Sequence, residues 1–547
     1  MIIGNLQAID LGVSSFEDMI TNASLYIDKS MFIEHFFNER PKIQLIARQR
    51  RLGKSLNLDM LRCFLTDQKD YRPLFENLFI RNSPVWDLAH SAPVFLLDFK
   101  KLDSEEYVTQ IRLMLKNLMY NYANDPKCTD VYIEAYDEWT KGIIPATEGI
   151  RLLTEIVFTV TGKKSFILID EYDKLLMDNV KSECYIKIHK FMTSLLSTGL
   201  KGNEYLEKGL LTGVMRISYE SMLSGLNNLQ TYDVFRDKIY TTDYGLTESE
   251  MIELSKACGF DLIEARQWYN GIKIGGHAIY NTYAVMSMLH HKEFDCYWAT
   301  SGTMEVISSI MNAKQKRTII ELLDEGVKKT VDMEEKISPK QLLSKSTNSM
   351  FYSLLVQSGY LSLEEKVRTV GKVAIPNLEL KEVWQRFLLS NFFEDSDNVD
   401  SLFIHLEDPA QLATEIEAFL SRTLESLSFH DLPRTKSKDG KLRVHENSYH
   451  ILLYAILVSG KDKYGFKTIC SNRESGDGRY DILVEFEDQA VVFEIKSAAD
   501  SEDLESLAQD ALRQIVSQRY GADLEKPVTG IGCAFKKKYC KVVAGVI

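Results

Sequence analysis

Several features that would set a chain apart from ordinary globular proteins are missing here. Proline is scarce, 11 residues in 547, while hydrophobic residues make up 45% and charged residues 26%. That balance argues against a disordered or fibrous chain. No apolar run approaches the ~18–20 residues a membrane-spanning helix needs, so no membrane association is expected. The opening stretch MIIGNLQAIDLGVSSFEDMI has no basic leader followed by an apolar core, so no secretory signal is expected. The eight cysteines include no CxxC pair. Such scatter points to reduced thiols in a cytoplasmic protein, not to a disulfide frame or a zinc site. Positive net charge is absent too: at −13 the chain is not a general polyanion binder. From Lys436 onward acids and bases balance, so the excess negative charge lies in residues 1–435. A nucleic-acid contact would then be a local groove in the C-terminal part.

The length allows two to four domains at ~100–200 residues each. Short apolar runs at 43–47 (IQLIA), 94–98 (VFLLD), 166–170 (FILID) and 210–214 (LLTGV) alternate with helical patterns such as 55–65 and 107–124. Buried strands alternating with helices predict an α/β fold with a mainly parallel sheet over 1–245. Shorter helices follow, then a helix and β-hairpin of winged-helix type at 351–380, which together form a lid over 246–380. A helical bridge and linker spans 381–435, and the polar stretch LPRTKSKDGK marks the boundary. The last part, 436–547, has the pattern helix (447–458), strand (480–486), strand (490–496), helix (502–520), strand (528–535).

The strand IQLIA runs into Arg48-Gln49-Arg50-Arg51-Leu52-Gly53-Lys54-Ser55 and then a helix. A phosphate-binding loop needs backbone amides curled at a helix N-terminus, a Lys for the β/γ-phosphates and a Ser hydroxyl for Mg²⁺. Arg51, Gly53, Lys54 and Ser55 are the candidates, although Arg48 stands where the first consensus glycine belongs. The Arg48, Arg50 and Arg51 charges either compensate near the phosphates or constrain the loop and slow turnover. A lone GKS is weak, but FILIDE supplies an apolar strand ending in two acids. Asp170 would hold Mg²⁺ and Glu171 would orient the attacking water. Thr212 is placed as a sensor of the γ-phosphate. Arg216 would stabilise transition-state charge in cis or in trans, unless it is an ordinary surface arginine, and a homo-oligomer through the ATPase domain is a separate candidate arrangement.

A second constellation is Asp481 at the start of one strand and Glu494-Ile495-Lys496 on the next. Glu494 and Lys496, two apart in a strand, point to one face, and a hairpin brings Asp481 beside them. Two carboxylates and the Ile495 carbonyl suit Mg²⁺, and Lys496 would position water for phosphodiester hydrolysis. Glu446, at the start of the preceding helix, is a further candidate metal-side acid, and Gln514 and Tyr520 are expected on the helix that follows. The competing explanation is an amphipathic hairpin with a surface Glu–Lys pair.

The ordered series Tyr26-Ile-Asp-Lys-Ser30, ARQRRLGKSLNLDML, SFILIDEYDKLL, LLTGVMRIS with LSGLNNL, WYNGIKI, YNTYAV, YWATSGT, SGYLSL, IPNLEL and GRYDILV…VVFEIK resembles the AAA-ATPase-like proteins that carry a C-terminal PD-(D/E)XK nuclease-like domain. The resemblance covers roughly residues 5–535. It implies a P-loop AAA-type ATPase core with a helical, winged-helix-like lid and a restriction-endonuclease-like α/β domain. It also implies nucleotide and Mg²⁺ roles for Lys54, Ser55, Asp170 and Glu171, and a nuclease triad of Asp481, Glu494 and Lys496 with Glu446 outlying. Tyr480 stands where the fuller pattern has proline. ATP and Mg²⁺ are the implied cofactors and DNA the implied partner. Two functions compete: an ATP-dependent nuclease acting on foreign or mobile DNA, and a slow ATP switch whose nuclease-like domain only binds. Intact acids at both sites count against a purely structural protein.

Overall fold

The computed structural model describes residues 1–216, 229–298, 303–323, 326–337, 341, 346–390, 403, 405–426, 434–436, 442–444, 446–459, 466–471 and 474–547. The motif LSGLNNL, apart from its last residue, and Ala299–Gly302 of YWATSGT lie outside the described residues, as does much of the expected bridge. The chain divides into two compact units, Met1–Ile310 with Lys328–Leu380, and Met311–Val327 with Lys381–Ile547. Among the described residues no helix is long and apolar enough to cross a membrane.

In the first unit five parallel strands form one sheet: β1 (Ile43–Ala47), β2 (Val94–Asp98), β3 (Ser165–Asp170), β4 (Leu206–Gly213) and β5 (Leu229–Tyr232), in the order β2-β3-β4-β1-β5. Every residue of β1 and β3 is buried. Strands covered on both faces must be apolar throughout, which is why these runs show no alternation. On one face Ile46, Phe166, Leu168 and Leu210 share a core with Leu58, Leu61 and Phe64 of α1 (Lys54–Leu65). Elsewhere in the unit α2 (Tyr107–Ala123), α3 (Gly149–Thr161) and α4 (Tyr185–Leu200) pack together. There α3 and α4 approach so closely that a Cβ on Gly199 would lie 2.6 Å from Ile150 Cβ. Because β1 lies beside β4, its carboxyl end, the start of α1 and the carboxyl ends of β3 and β4 converge on one edge of the sheet. Open α/β sheets bind ligands at such an edge.

The remainder of this unit includes helices Glu248–Cys258, Leu262–Tyr269 and Thr282–His291. Then come β6 (Lys329–Asp332), α5 (Asn348–Ser358), β7 (Ser362–Val367) and β8 (Val370–Ala374). The helix-then-hairpin pattern is as expected, but β6 pairs antiparallel with β8 and makes a three-stranded sheet. Its run KTVD is too short and polar to announce a strand.

The second unit holds α6 (Pro409–Ser426), α7 (Glu446–Ser459), α8 (Leu504–Ser517) and a mixed sheet. Its strands are β9 (Thr468–Ser471), β10 (Ile482–Glu485), β11 (Ala490–Ser497), β12 (Val528–Lys536) and β13 (Tyr539–Val546), in that order. Only β11 and β12 run parallel, joined through α8. The period-two rule sorts the residues: Ile482, Val484, Val491, Phe493 and Ile495 join the core with α6 and α7, while Leu483, Val492 and Ile515 form the cluster on the α8 face. Edge strands β9 and β13 were not expected from the sequence. Part of the linker stretch, Arg434–Lys436, is instead a strand paired with Leu442–Val444.

Candidate functional site

Between β1 and α1 the chain turns through residues 48–53. Gly53 has φ +89°, and nothing lies within 4 Å of the place a Cβ would occupy, so backbone conformation and not space demands glycine there. Among the described residues no side chain caps the start of α1, so its first amides are left for another acceptor. Lys54 is buried, and its Nζ donates to the carbonyls of Gln49 (2.8 Å) and Arg48 (3.1 Å). Burial lowers its pKa, opposed by Glu171, Asp170 and Asp173. The Ser55 hydroxyl donates to Asp170 Oδ2 at 2.5 Å. Asp170 Oδ1 accepts from the Thr212 hydroxyl and from the Glu171 N–H (3.0 Å). Lys54, Ser55, Asp170, Glu171 and Thr212 are therefore one constellation on the carboxyl edge of the sheet. Glu171 is partly exposed and holds φ +52°, an unusual conformation for a non-glycine residue of the kind that clusters at functional sites.

The arginines behave differently from expectation. Arg48 does not reach toward phosphate. It is buried, its guanidinium pairs with Asp237, and it donates to the carbonyls of Ala47 (2.9 Å), Tyr232 (3.1 Å) and Tyr240 (3.2 Å). A buried guanidinium needs such partners, and once it has them its charge is no longer available to a ligand. Arg51, in a left-handed conformation at φ +67°, stacks 4.0 Å over the Tyr283 ring and donates to the Tyr297 carbonyl at 2.6 Å. Arg216 is not a surface residue. It is buried, with Nη1 on Asp233 (3.1 Å) and near Glu335 (3.8 Å). In this arrangement its charge is engaged inside its own chain.

Asp173 was overlooked in the sequence although it stands in the same DEYD run. Its Oδ2 accepts the N–H groups of Met215 (2.7 Å) and Val214 (3.0 Å), and burial pushes its carboxyl up to about 6.

In the second unit the pairing of Ile482 with Phe493 sets Asp481 beside Glu494. Asp481 Oδ2 accepts the Ile495 N–H at 2.7 Å. Glu494 Oε1 accepts from Lys496 Nζ at 3.0 Å, and the same ammonium donates to Gln514 Oε1 at 2.6 Å. The Gln514 amide in turn lies 3.4 Å from the Tyr520 hydroxyl, although α8 ends at Ser517 and Tyr520 follows it. Burial raises the Asp481 carboxyl to about 6. Burial, then the Asp481 charge, raises Glu494 to about 8 against the pull of Lys496. Lys496 is pulled down by burial, yet Glu494, Glu446 and Asp481 together hold it above its ordinary value.

The position is less open than a solvated cleft: Glu494 is 4% exposed, and its Oε2 is buried with no hydrogen-bond partner among the described residues. Glu446 is exposed and accepts the Ser497 N–H at 3.2 Å. Among the described residues no three His, Cys, Asp or Glu side chains gather closely enough to hold a metal, while the Glu446 charge acts on both Glu494 and Lys496. The Asp481 and Glu494 carboxylates nevertheless fit a hard divalent cation, because a positive charge would satisfy the orphaned oxygen and relieve the mutual repulsion. His450, not foreseen, is buried in α7 with Nε2 at 3.0 Å from the Asp481 carbonyl and 3.1 Å from the Ser471 hydroxyl. Burial lowers its pKa to about 4, so it is neutral near pH 7. Its spacing of four from Glu446 on a helix was the available signal.

Two stretches of the chain match models of known families. Residues 10–223 match the family described as predicted AAA-ATPase, and residues 444–544 match the PD-(D/E)XK nuclease superfamily. An uncharacterized protein in the vnfD 5′ region of Azotobacter chroococcum mcd 1 is 25% identical over 540 residues, 95% of each chain. Among solved structures, the Walker-type ATPase of Pyrococcus abyssi overlaps 70% of this chain and all of its own, at 14% identity and TM-score 0.36. The Drosophila ORC structure bound to AT-rich DNA and Cdc6 overlaps 68% and 90%, at 10% identity and TM-score 0.16. The chain is thus similar to the predicted AAA-ATPases over residues 10–223 and to the PD-(D/E)XK nuclease superfamily over residues 444–544.

Proposed function

We propose that this protein binds and hydrolyses ATP with Mg²⁺ in its first unit and cuts DNA with a divalent cation in its second, the nucleotide gating the cut. The observation that carries the nuclease half is Glu494. A buried acid with one unpartnered oxygen, beside a second raised acid and a lysine, is costly to keep unless a cation is to be bound there. Asp481 and Glu494 would hold Mg²⁺, which when bound supplies positive charge against a phosphate oxygen. Lys496, fixed between Glu494 and Gln514, orients the attacking water, and His450 steadies the Asp481 backbone. Foreign or mobile DNA is the proposed target. The scatter of the eight cysteines, with no CxxC pair, suits a cytoplasmic setting. The working division remains 1–245 ATPase core, 246–380 lid, 381–435 bridge and 436–547 nuclease domain.

In the first unit Lys54 would leave the Arg48 and Gln49 carbonyls for the β/γ-phosphates, with Arg51, Gly53 and the start of α1 shaping the loop. Ser55 and Asp170 would hold Mg²⁺, Thr212 would sense the γ-phosphate and Glu171 would orient water. Arg216 is assigned to the wall of the site, and a homo-oligomer through this domain is proposed separately. Lys54→Ala is expected to abolish ATP binding in a fluorescent-nucleotide titration, and unchanged affinity would sink the loop assignment. Glu171→Gln should keep or tighten ATP binding while lowering turnover by roughly two orders of magnitude, the loss expected for a positioned base. Equal turnover in the variant would make Glu171 a strand cap.

The loop also favours the alternative of a slow ATP switch. Lys54 is already satisfied by two loop carbonyls, and Arg48 fixes the strand end from which the loop departs, so loading with ATP has to break contacts first. ATP turnover and DNA cleavage measured on one preparation, with and without Mg²⁺, separate the two: cutting in Mg²⁺ supports the nuclease, while binding of ATP and DNA without cutting leaves the switch.

A further inference from the structure

The SGYLSL motif has no part in the reading above, yet its helix touches both sides of the phosphate site. Residues Met350–Ser358 of α5 are all buried, and among them Gln357 is a long polar side chain at 2% exposure. Its Oε1 accepts the Arg216 N–H at 2.8 Å, and its Nε2 donates to the Glu335 carbonyl at 3.2 Å. Val214 and Met215 give their N–H groups to Asp173. Three consecutive amides just after Thr212 are thus held by two side chains, Asp173 beyond the acid strand and Gln357 from α5.

The same turn meets the phosphate loop. The Val356 carbonyl accepts from Gln49 Nε2 at 3.4 Å. Gly359 follows with φ +90°, and a Cβ there would lie 2.7 Å from Gln49 Cγ. Glycine is required at this point both for the backbone and for the approach to Gln49. A buried amide is expensive unless bonded, and here one bond runs to the Arg216 N–H in the segment after Thr212 and the other to the Glu335 carbonyl, neither to its own helix.

We propose that Gln357 is a positioning residue of the nucleotide site: with Asp173 it clamps the amides of residues 214–216, so that filling the phosphate loop orders α5 and the β7–β8 hairpin behind it. The inference rests on the reading that the Lys54–Asp170 site binds ATP, and it names the element that responds to that binding. Coupling of this kind is reciprocal, so loosening α5 also loosens the segment after Thr212.

Hydrogen exchange on the full chain, with and without ATP and Mg²⁺, tests it. In wild type ATP slows exchange across residues 348–374 by roughly fivefold. Gln357→Ala binds ATP within about threefold of wild type but loses that slowing, and its turnover falls by about tenfold, an effect on kcat and not on KM. Gln357→Glu, which keeps an acceptor for the Arg216 N–H but loses the donor to the Glu335 carbonyl, recovers the slowing only in part. Persistence of the slowing in Gln357→Ala overturns the proposal, and so does loss of its thermal transition together with ATP binding, which makes Gln357 a fold residue. Wild type that binds ATP without slowing at 348–374 overturns the coupling alone. Wild type that binds no more ATP than Lys54→Ala overturns the nucleotide reading and the coupling with it.

Discussion

Asp481→Asn, Glu494→Gln and Lys496→Ala should each reduce Mg²⁺-dependent DNA cleavage by about three orders of magnitude, within the range for a lost metal ligand or positioned proton-transfer group. ATP binding should survive in all three, because the phosphate loop lies in the other unit. The stability of these variants carries further information. Glu494 holds its proton more tightly folded than unfolded, since burial and Asp481 raise it from 4.5 to about 8. A group with a raised folded pKa stabilises the fold while it is protonated, so its contribution falls as pH rises through that window. Thermal unfolding of the second unit should therefore weaken from about pH 4.5 toward pH 8 in wild type and less so in Glu494→Gln. Mg²⁺ should stabilise wild type more at pH 8 than at pH 6, because the ionised pair is the form that binds it. A gel assay on linear, supercoiled and single-stranded DNA reads the cleavage, and scanning fluorimetry reads the stability. Wild-type cutting by Glu494→Gln would point to a different site, and a pH profile unchanged by that variant would remove Glu494 as the titrating group.

Arg48→Gly restores the glycine of the phosphate-loop consensus, and a sequence argument would expect tighter ATP binding from it. The structure leads to the opposite expectation. Arg48 is buried against Asp237 and three backbone carbonyls that join the ends of β1 and β5 to the following segment. Removing it leaves Asp237 uncompensated in the interior, which costs about 3–5 kcal/mol. Urea unfolding should show a lower midpoint, and ATP titration should show equal or weaker affinity. Asp237→Asn should be destabilising as well, and the double variant should lose less than the two single losses combined, because the residues act as a pair. Stronger ATP binding by Arg48→Gly at undiminished stability would return Arg48 to the role of a consensus departure that merely hinders the loop.

Much of this molecule was legible because strands buried on both faces must be continuous apolar runs. IQLIA, VFLLD, FILID and LLTG all fall in the parallel sheet as expected. Local chemistry also marked the loop before α1 and the acids that end β3. The hairpin of Asp481 and Glu494–Lys496 is legible for a similar reason: strand alternation puts Glu494 and Lys496 on one face, and the antiparallel partner brings Asp481 alongside. Edge strands such as β6, β9 and β13 were harder, since their pairing depends on a distant neighbour and not on a local pattern.

What the sequence determined by itself, then, was which residue types stand where strands turn into loops: Gly53, Lys54 and Ser55 after one strand, Asp170 and Glu171 after another, Glu494 and Lys496 along a third. Those choices are local, set by backbone conformation, chain alternation and the chemistry of single side chains. Only the tertiary structure decided where the charges go. It turned Arg48 inward to Asp237, engaged Arg216 with Asp233, tied residues 214–216 to Asp173 and Gln357, and buried Glu494 with one oxygen unpartnered. The reason is physical: burial makes an unpaired charge costly, and its partner is supplied by whatever the fold brings near, as Asp237 is for Arg48 from 189 residues away in the chain.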